Sequence, residues 1–181
     1  HQNKILELNV EEKYVWVQPG VVLDHLNAYL KPHGLWFPVD VSTSSRATIG
    51  GMSANNSCGS RSLYYGNMVH NVLAIEAILD DGSIFQFDQI NKNYLATKNN
   101  QDRLYKIIDK FIDVRQKVGS EIDANWPTTQ RRVGGYNIDL IDPEGFNSSN
   151  LLVGSEGTLS LFNKIKLKLS EIPKNKILGV C

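Results

Sequence analysis

Cysteine is nearly missing from this chain: two among 181 residues, Cys58 and Cys181. That count lacks the density of a secreted disulfide scaffold, and the spacing is not that of metal ligands. It predicts a reducing compartment, the cytoplasm. An excess of either charge is also missing, since 19 basic residues balance 19 acidic ones, and nothing argues for binding nucleic acid or an acidic membrane surface. No apolar run approaches the roughly 20 residues needed to span a bilayer, and His1-Gln2-Asn3-Lys4-Ile5-Leu6-Glu7 lacks the layout of a signal peptide. Neither G-x-G-x-x-G nor G-x-x-x-x-G-K-[ST] occurs, which removes the common dinucleotide and P-loop cradles. No His, Asp and Glu cluster has metal-ligand spacing.

What the chain does have is 41% hydrophobic residues, enough for a real core in one domain or two small lobes. Residues 4 to 8 and 14 to 17 are β-rich around the polar Glu11-Glu12-Lys13, which predicts a hairpin. Helical spacing of Val22, Leu23, Leu26, Tyr29 and Leu30 predicts a helix from Val21 to Leu30, stopped at Lys31-Pro32-His33-Gly34. The run from Val72 to Leu79, apolar on both faces except at Glu76, predicts a central strand. Asp80-Asp81-Gly82-Ser83 then turns the chain into a partner strand, Ile84 to Phe87. Leu104, Ile107, Ile108, Phe111 and Ile112 form a helical stripe that extends to Val118, with Gly119 as its stop. Ser120 to Asn150 reads as loop with short elements. Ile165, Leu167 and Leu169 alternate with lysines, as in a strand with one solvated face. Lys176-Ile177-Leu178-Gly179-Val180 looks like the start of another strand. The order of strands and helices implies an α+β fold, and a start without Met on a strand-like segment predicts an excised piece of a longer protein.

The most informative stretch is Thr48-Ile49-Gly50-Gly51-Met52-Ser53-Ala54-Asn55-Asn56-Ser57-Cys58-Gly59. Twelve residues so small and polar build no core; glycines let a backbone approach a ligand, and N–H groups can solvate a pyrophosphate. Pro38-x-Asp40 precedes it, and Ser62, Tyr65-Gly66 and Val72 follow. Downstream stand Leu79-x-Asp81-Gly82, Gly135-Tyr136 and Val153-Gly154-Ser155-Glu156-Gly157-Thr158-Leu159. In this order the motifs resemble the flavin-linked oxidases and dehydrogenases of the vanillyl-alcohol oxidase type, with a PCMH-type FAD-binding domain, and especially bacterial D-2-hydroxyacid dehydrogenases.

The resemblance implies a mixed β-sheet with flanking helices, truncated on its N-terminal side. Residues 1–45 would end a first FAD-binding subdomain, 46–172 would form the second, and 173–181 would begin a cap domain. FAD would be lined by Pro38, Asp40, Thr48, Ile49, Gly50, Gly51, Ala54, Asn55, Asn56, Ser57, Gly59, Ser62, Tyr65, Gly66, Gly154, Glu156, Gly157 and Thr158. Arg131 or Arg132 would hold the substrate carboxylate, since a guanidinium grips a carboxylate through two parallel hydrogen bonds. Glu156 reads equally as a flavin contact or a loop-organising carboxylate. Covalent flavin attachment is the alternative to simple packing for His70 and Cys58. The implied activity is oxidation of a 2-hydroxyacid by hydride transfer to flavin, with an electron acceptor as partner, in a longer protein of which this piece alone is inactive. An alcohol, sugar or cell-wall-precursor oxidoreductase and a non-catalytic module are the alternatives.

Overall fold

The computed structural model describes residues 2–96, 102–129 and 131–175. β1 (Ile5–Asn9) and β2 (Tyr14–Val17) form the expected hairpin. Its turn is tied by the Glu12 N–H donating to Asn9 Oδ1 at 2.8 Å, and Lys13 takes a left-handed φ of 55°. Alternation in β2 buries Val15 and Val17 completely and leaves Trp16 half-buried. Helix α1 (Leu23–Leu30) follows and buries Leu23, Leu26 and Leu30, three positions on one helical face. A 3-10 turn over 31–33 ends it at Gly34, whose φ of 70° suits a residue without Cβ. The short β3 (Leu35–Trp36) comes next.

The glycine-rich stretch is not wholly loop. Ile49–Ala54 is a short helix, α2, capped by the Thr48 hydroxyl accepting from the Gly51 N–H. It forms because Ile49, Met52 and Ser53 share a buried face, while Gly50 and Gly51 lie on the other. Two one-turn helices, α3 (Ser62–Tyr65) and α4 (Met68–Asn71), lead into β4 (Val72–Ile78), and β5 (Ile84–Phe87) returns from it. The turn between them is closed by Leu79 N–H to Ser83 C=O and Gly82 N–H to Leu79 C=O. β6 (Gln89–Asn91) and α5 (Lys92–Ala96) precede the long helix α6 (Arg103–Asn125).

Helix α6 overturns the expected stop at Gly119. A stop of that kind needs a left-handed residue, and Gly119 is not among the positive-φ glycines. The propensity penalty of about 1 kcal/mol for an interior glycine is outweighed because Ile122 is buried one turn further on. β7 (Gly145–Asn147) pairs with β6, and this unit packs on α6 through Ile90, Ile108, Ile141, Phe146 and Leu151. Thus the expected loop from Ser120 to Asn150 holds the end of a helix, a strand and two 3-10 turns.

β8 (Leu161–Lys168) inserts between the two hairpins, giving the order β1-β2-β8-β4-β5, while β9 (Ser170–Glu171) pairs with β3. Every strand pair among the described residues is antiparallel. The sheet is therefore not the mixed one expected, because hairpin partners and a strand running between them need no parallel crossover. Residues on both sides of the expected boundary at 45/46, such as Val17, Leu26, Ile75 and Ile165, share one core. The segment 176–181, with its expected strand and Cys181, lies outside the described residues.

Candidate functional site

Two segments about a hundred residues apart meet at α2. The Gly154 N–H donates to the Ser53 carbonyl and the Glu156 N–H to the Ala54 carbonyl, both at 2.9 Å. These bonds use carbonyls at the C-terminal end of α2, where the helical ladder runs out; that of Ser53 also accepts the Asn56 N–H at 3.3 Å. The 154–158 turn needs left-handed backbone at Gly154, Glu156 and Gly157, with φ of 83°, 49° and 78°. Thr158 closes it by donating its hydroxyl to the Ser155 carbonyl and sharing a 2.8 Å bond with Tyr136 Oη.

Beside this junction runs a groove of about 370 Å3, with Thr48, Gly50, Gly51 and Ala54 on one wall and Gly157 on the other. Pro19, Gly20, Ser160, Leu161 and Phe162 complete its lining, none of them expected from the sequence. Pro19 and Gly20 follow closely on β2, and the Pro19 backbone holds α2. The Pro19 carbonyl accepts the Gly50 N–H at 2.7 Å, and a Cβ at Gly50 would stand 2.9 Å from that same oxygen. No sequence signal marked Leu161, which shares the odd-numbered phase of the buried Ile165 and Leu167; the β4–β8 register slips between Glu76↔Lys164 and Ala77↔Phe162, and beyond that slip Leu161 is 69% exposed.

The remaining expected residues divide among other places. Ile49 is fully buried in the core beneath the groove. Asp40 organises the next loop, accepting from the Ser60 hydroxyl at 2.7 Å and the Arg61 N–H at 3.0 Å. Gly59 packs directly on Asp40 and donates its N–H to Ser62 Oγ, with Pro38 buried nearby in the chain. Asn56 is buried in a left-handed conformation and accepts the Val69 N–H at 3.0 Å, while Asn55 takes the Ser57 hydroxyl. Tyr65 packs edge-on against Trp36, and Gly66 lies against the His70 ring. Neither lines the groove.

The structure separates the two arginines. Arg132 pairs with Asp139 at 2.6 Å, both side chains about one-fifth exposed, and its guanidinium lies 4.9 Å from the Trp126 ring centroid. Its carbonyl accepts from Asn67 Nδ2, which ties the loop to α4. Arg131 is exposed and makes no ion pair among the described residues.

His70 lies next to this network. Its Nδ1 accepts the Asn67 N–H at 3.0 Å and completes a capping box on α4. Partial burial of the ring, and then the Arg132 charge, hold its pKa below the usual 6.5, against a weaker opposing pull from Asp139. The folded state therefore binds fewer protons than the unfolded chain just below pH 6.5, and stability falls as pH drops through that window. Urea unfolding at pH 7.5 and 5.5 is expected to show this loss. The slope flattens in His70→Gln, which keeps an acceptor for the cap but does not titrate.

Among the described residues no group of three His, Cys, Asp or Glu is placed to hold a metal ion. No helix among them is long and apolar enough to cross a membrane.

Residues 1–88 match the family model for an FAD binding domain. The chain is 37% identical to D-2-hydroxyglutarate dehydrogenase of Haemophilus influenzae over 98% of its own length and 18% of that protein. With the Escherichia coli protein of the same name it shares 36% identity, over 96% of this chain and 18% of the relative. A probable mitochondrial D-lactate dehydrogenase of Danio rerio is 31% identical, over 98% and 26%. The chain thus spans about a fifth to a quarter of the length of these relatives. In fold it is similar to a solved alkyldihydroxyacetonephosphate synthase, with a TM-score of 0.58 and 18% identity over 96% of this chain and 24% of the other.

The groove fits such a cofactor. Glycines at 51 and 157 have open space or only a flexible neighbour where a Cβ would stand, so a ligand can approach the backbone. The Ser160 hydroxyl at the groove is buried without a partner, as are Asn56 Nδ2 and Ser155 Oγ in the segments beneath it; buried polar atoms of this kind call for one. The chain belongs to the FAD-linked oxidases with a PCMH-type FAD-binding domain, close to the bacterial D-2-hydroxyacid dehydrogenases.

Proposed function

We propose that this chain is the FAD-holding part of a flavin-dependent oxidoreductase that oxidises a 2-hydroxyacid. The observation that carries the reading is the junction of the 154–158 turn with the end of α2, which places a glycine on each wall of one groove. Thr48, Gly50, Gly51, Ala54, Gly157 and Thr158 are assigned to the cofactor directly. Gly154 and Glu156 dock the turn through their backbone N–H groups. Pro38, Asp40, Asn55, Asn56, Ser57, Gly59 and Ser62 hold the following loop in shape, and Tyr65-Gly66 joins it to α4. The chemistry supplied by bound FAD is acceptance of a hydride from the hydroxyl-bearing carbon.

Substrate selection falls to Arg131. Its guanidinium is exposed, whereas that of Arg132 is already paired with Asp139. A carboxylate held by two parallel hydrogen bonds is fixed in orientation as well as position, which favours a hydroxyacid over a plain alcohol or sugar. The names of the relatives, D-2-hydroxyglutarate and D-lactate dehydrogenases, point to the same substrate class. A separate electron acceptor completes the cycle, and the low cysteine content supports a reducing compartment, the cytoplasm, as its location.

Titrating the chain with FAD is expected to quench flavin fluorescence and raise Tm; no change in either would remove the reading. In a chain extended to the length of the relatives, D-lactate, D-2-hydroxyglutarate or glycolate is expected to bleach the bound flavin. Arg131→Gln should raise KM at least about tenfold, the loss of one charge-assisted contact of about 1.4 kcal/mol, without releasing FAD.

A further inference from the structure

Lys13, Lys168 and His70 come from three separate elements, the β1–β2 turn, the end of β8 and α4, and converge on one cleft of about 680 Å3. Tyr64, Tyr65 and Glu171 complete the walls that matter here. The cleft and the glycine groove stand at opposite ends of the same strands. Lys13 precedes β2 and Pro19 follows it, while Lys168 ends the strand that Leu161 begins. At roughly 3.3 Å per residue the two sites are about 20 Å apart along β8.

Several features of the cleft lack a structural explanation. Lys13 occupies a left-handed turn position, φ 55°, that glycine or asparagine would fill with less strain. Its ammonium reaches across to Glu171 at 2.6 Å, with the two side chains 46% and 66% exposed. An ion pair so open to water adds little stability, so it holds the ammonium at the mouth of the cleft and opens readily. Lys168 is exposed and has no ion-pair partner among the described residues. His70 receives the Asn67 N–H on Nδ1, so in the neutral ring Nε2 carries the proton and is a donor. Tyr64 is 85% exposed, yet it is held edge-on to Tyr65 at 4.8 Å, and Tyr65 is held edge-on to Trp36 at 5.5 Å. That stack presents an ordered aromatic ring to solvent beside two ammonium groups.

We propose that this cleft binds a small planar organic anion, a carboxylate carried on an aromatic or conjugated ring. Lys13, Lys168 and the His70 Nε2–H face the carboxylate, and Tyr64 packs against the ring. Neighbouring ammonium groups supply charge without the fork of an arginine, while an aromatic face rewards a flat apolar body. Inorganic phosphate satisfies only the first of these and is therefore the weaker ligand.

The 15N-labelled chain titrated with benzoate is expected to show saturable amide shifts confined to residues 13, 64–65, 70–71 and 168–171. Phosphate should bind at least about tenfold more weakly, and Lys13→Gln with Lys168→Gln should weaken benzoate by a similar factor. Tyr64→Ala should weaken benzoate but not phosphate. All three residues changed in these tests are exposed side chains or turn positions, and an unchanged Tm confirms folding of each variant. Shifts that are scattered or do not saturate, affinity unmoved by the double lysine change, equal binding of phosphate, or displacement of benzoate by FAD would each overturn the proposal.

Discussion

Gly59→Ala is expected to destabilise the chain by about 3 kcal/mol, at the upper end of overpacking effects, and to lower Tm by about 10 °C. A Cβ at position 59 would stand 2.1 Å from Asp40 Oδ1 and 2.5 and 2.6 Å from the Asp40 carbonyl oxygen and carbon. The carboxylate cannot simply turn away, because it holds the Ser60 hydroxyl and the Arg61 N–H. Removing that side chain would still leave the clash with backbone. The Gly59 N–H bond to Ser62 Oγ would be lost in the same displacement, leaving buried polar groups without partners. Gly134→Ala is the comparison: its Cβ would meet nothing within 4 Å and its φ is not left-handed. It should be neutral or stabilising by about 0.5 kcal/mol through the unfolded chain. Urea or thermal unfolding of the two variants checks the pair; equal stabilities would refute the packing argument.

Gly51→Leu is expected to separate stability from cofactor binding. A Cβ at Gly51 would meet only the Thr48 hydroxyl at 3.1 Å, and the residue is exposed on the groove side of α2. Replacing glycine by a good helix former inside a helix should raise stability by about 0.5 kcal/mol. The leucine side chain would stand in the groove, which the proposed function assigns to FAD. Affinity is expected to fall at least about 100-fold, about 2.7 kcal/mol. Flavin fluorescence titration and Tm measured on the same samples would show the opposite signs. Retained affinity in a folded variant would place FAD elsewhere.

Local pattern was sufficient for much of the fold. The hairpin around Glu11-Glu12-Lys13, α1 with its stop at Gly34, and the β4–β5 turn at Asp80-Asp81-Gly82-Ser83 all follow from periodicity and turn chemistry within a dozen residues. Helix α6 passed its expected stop because glycine ends a helix only when the backbone turns left-handed there, and the packing of Ile122 kept it right-handed. The glycine-rich stretch was legible as a candidate site but not as a helix, since glycines hide the buried face made by Ile49, Met52 and Ser53.

By itself the sequence determined the α+β class, the main strands and helices and the family resemblance, and it singled out the two segments proposed to hold FAD, because each rests on neighbouring residues. Only the tertiary structure decided how they meet. The docking of Gly154 and Glu156 on Ser53 and Ala54 depends on β8 lying between β2 and β4. Arg131 and Arg132 are identical in sequence terms until Asp139 and Trp126 fold back on one of them. Likewise, Lys13 and Lys168 are 155 residues apart in the chain, and the antiparallel pairing of β2 with β8 brings them to one cleft. Contacts of this kind are set by strand order and register, which no local pattern of side chains encodes.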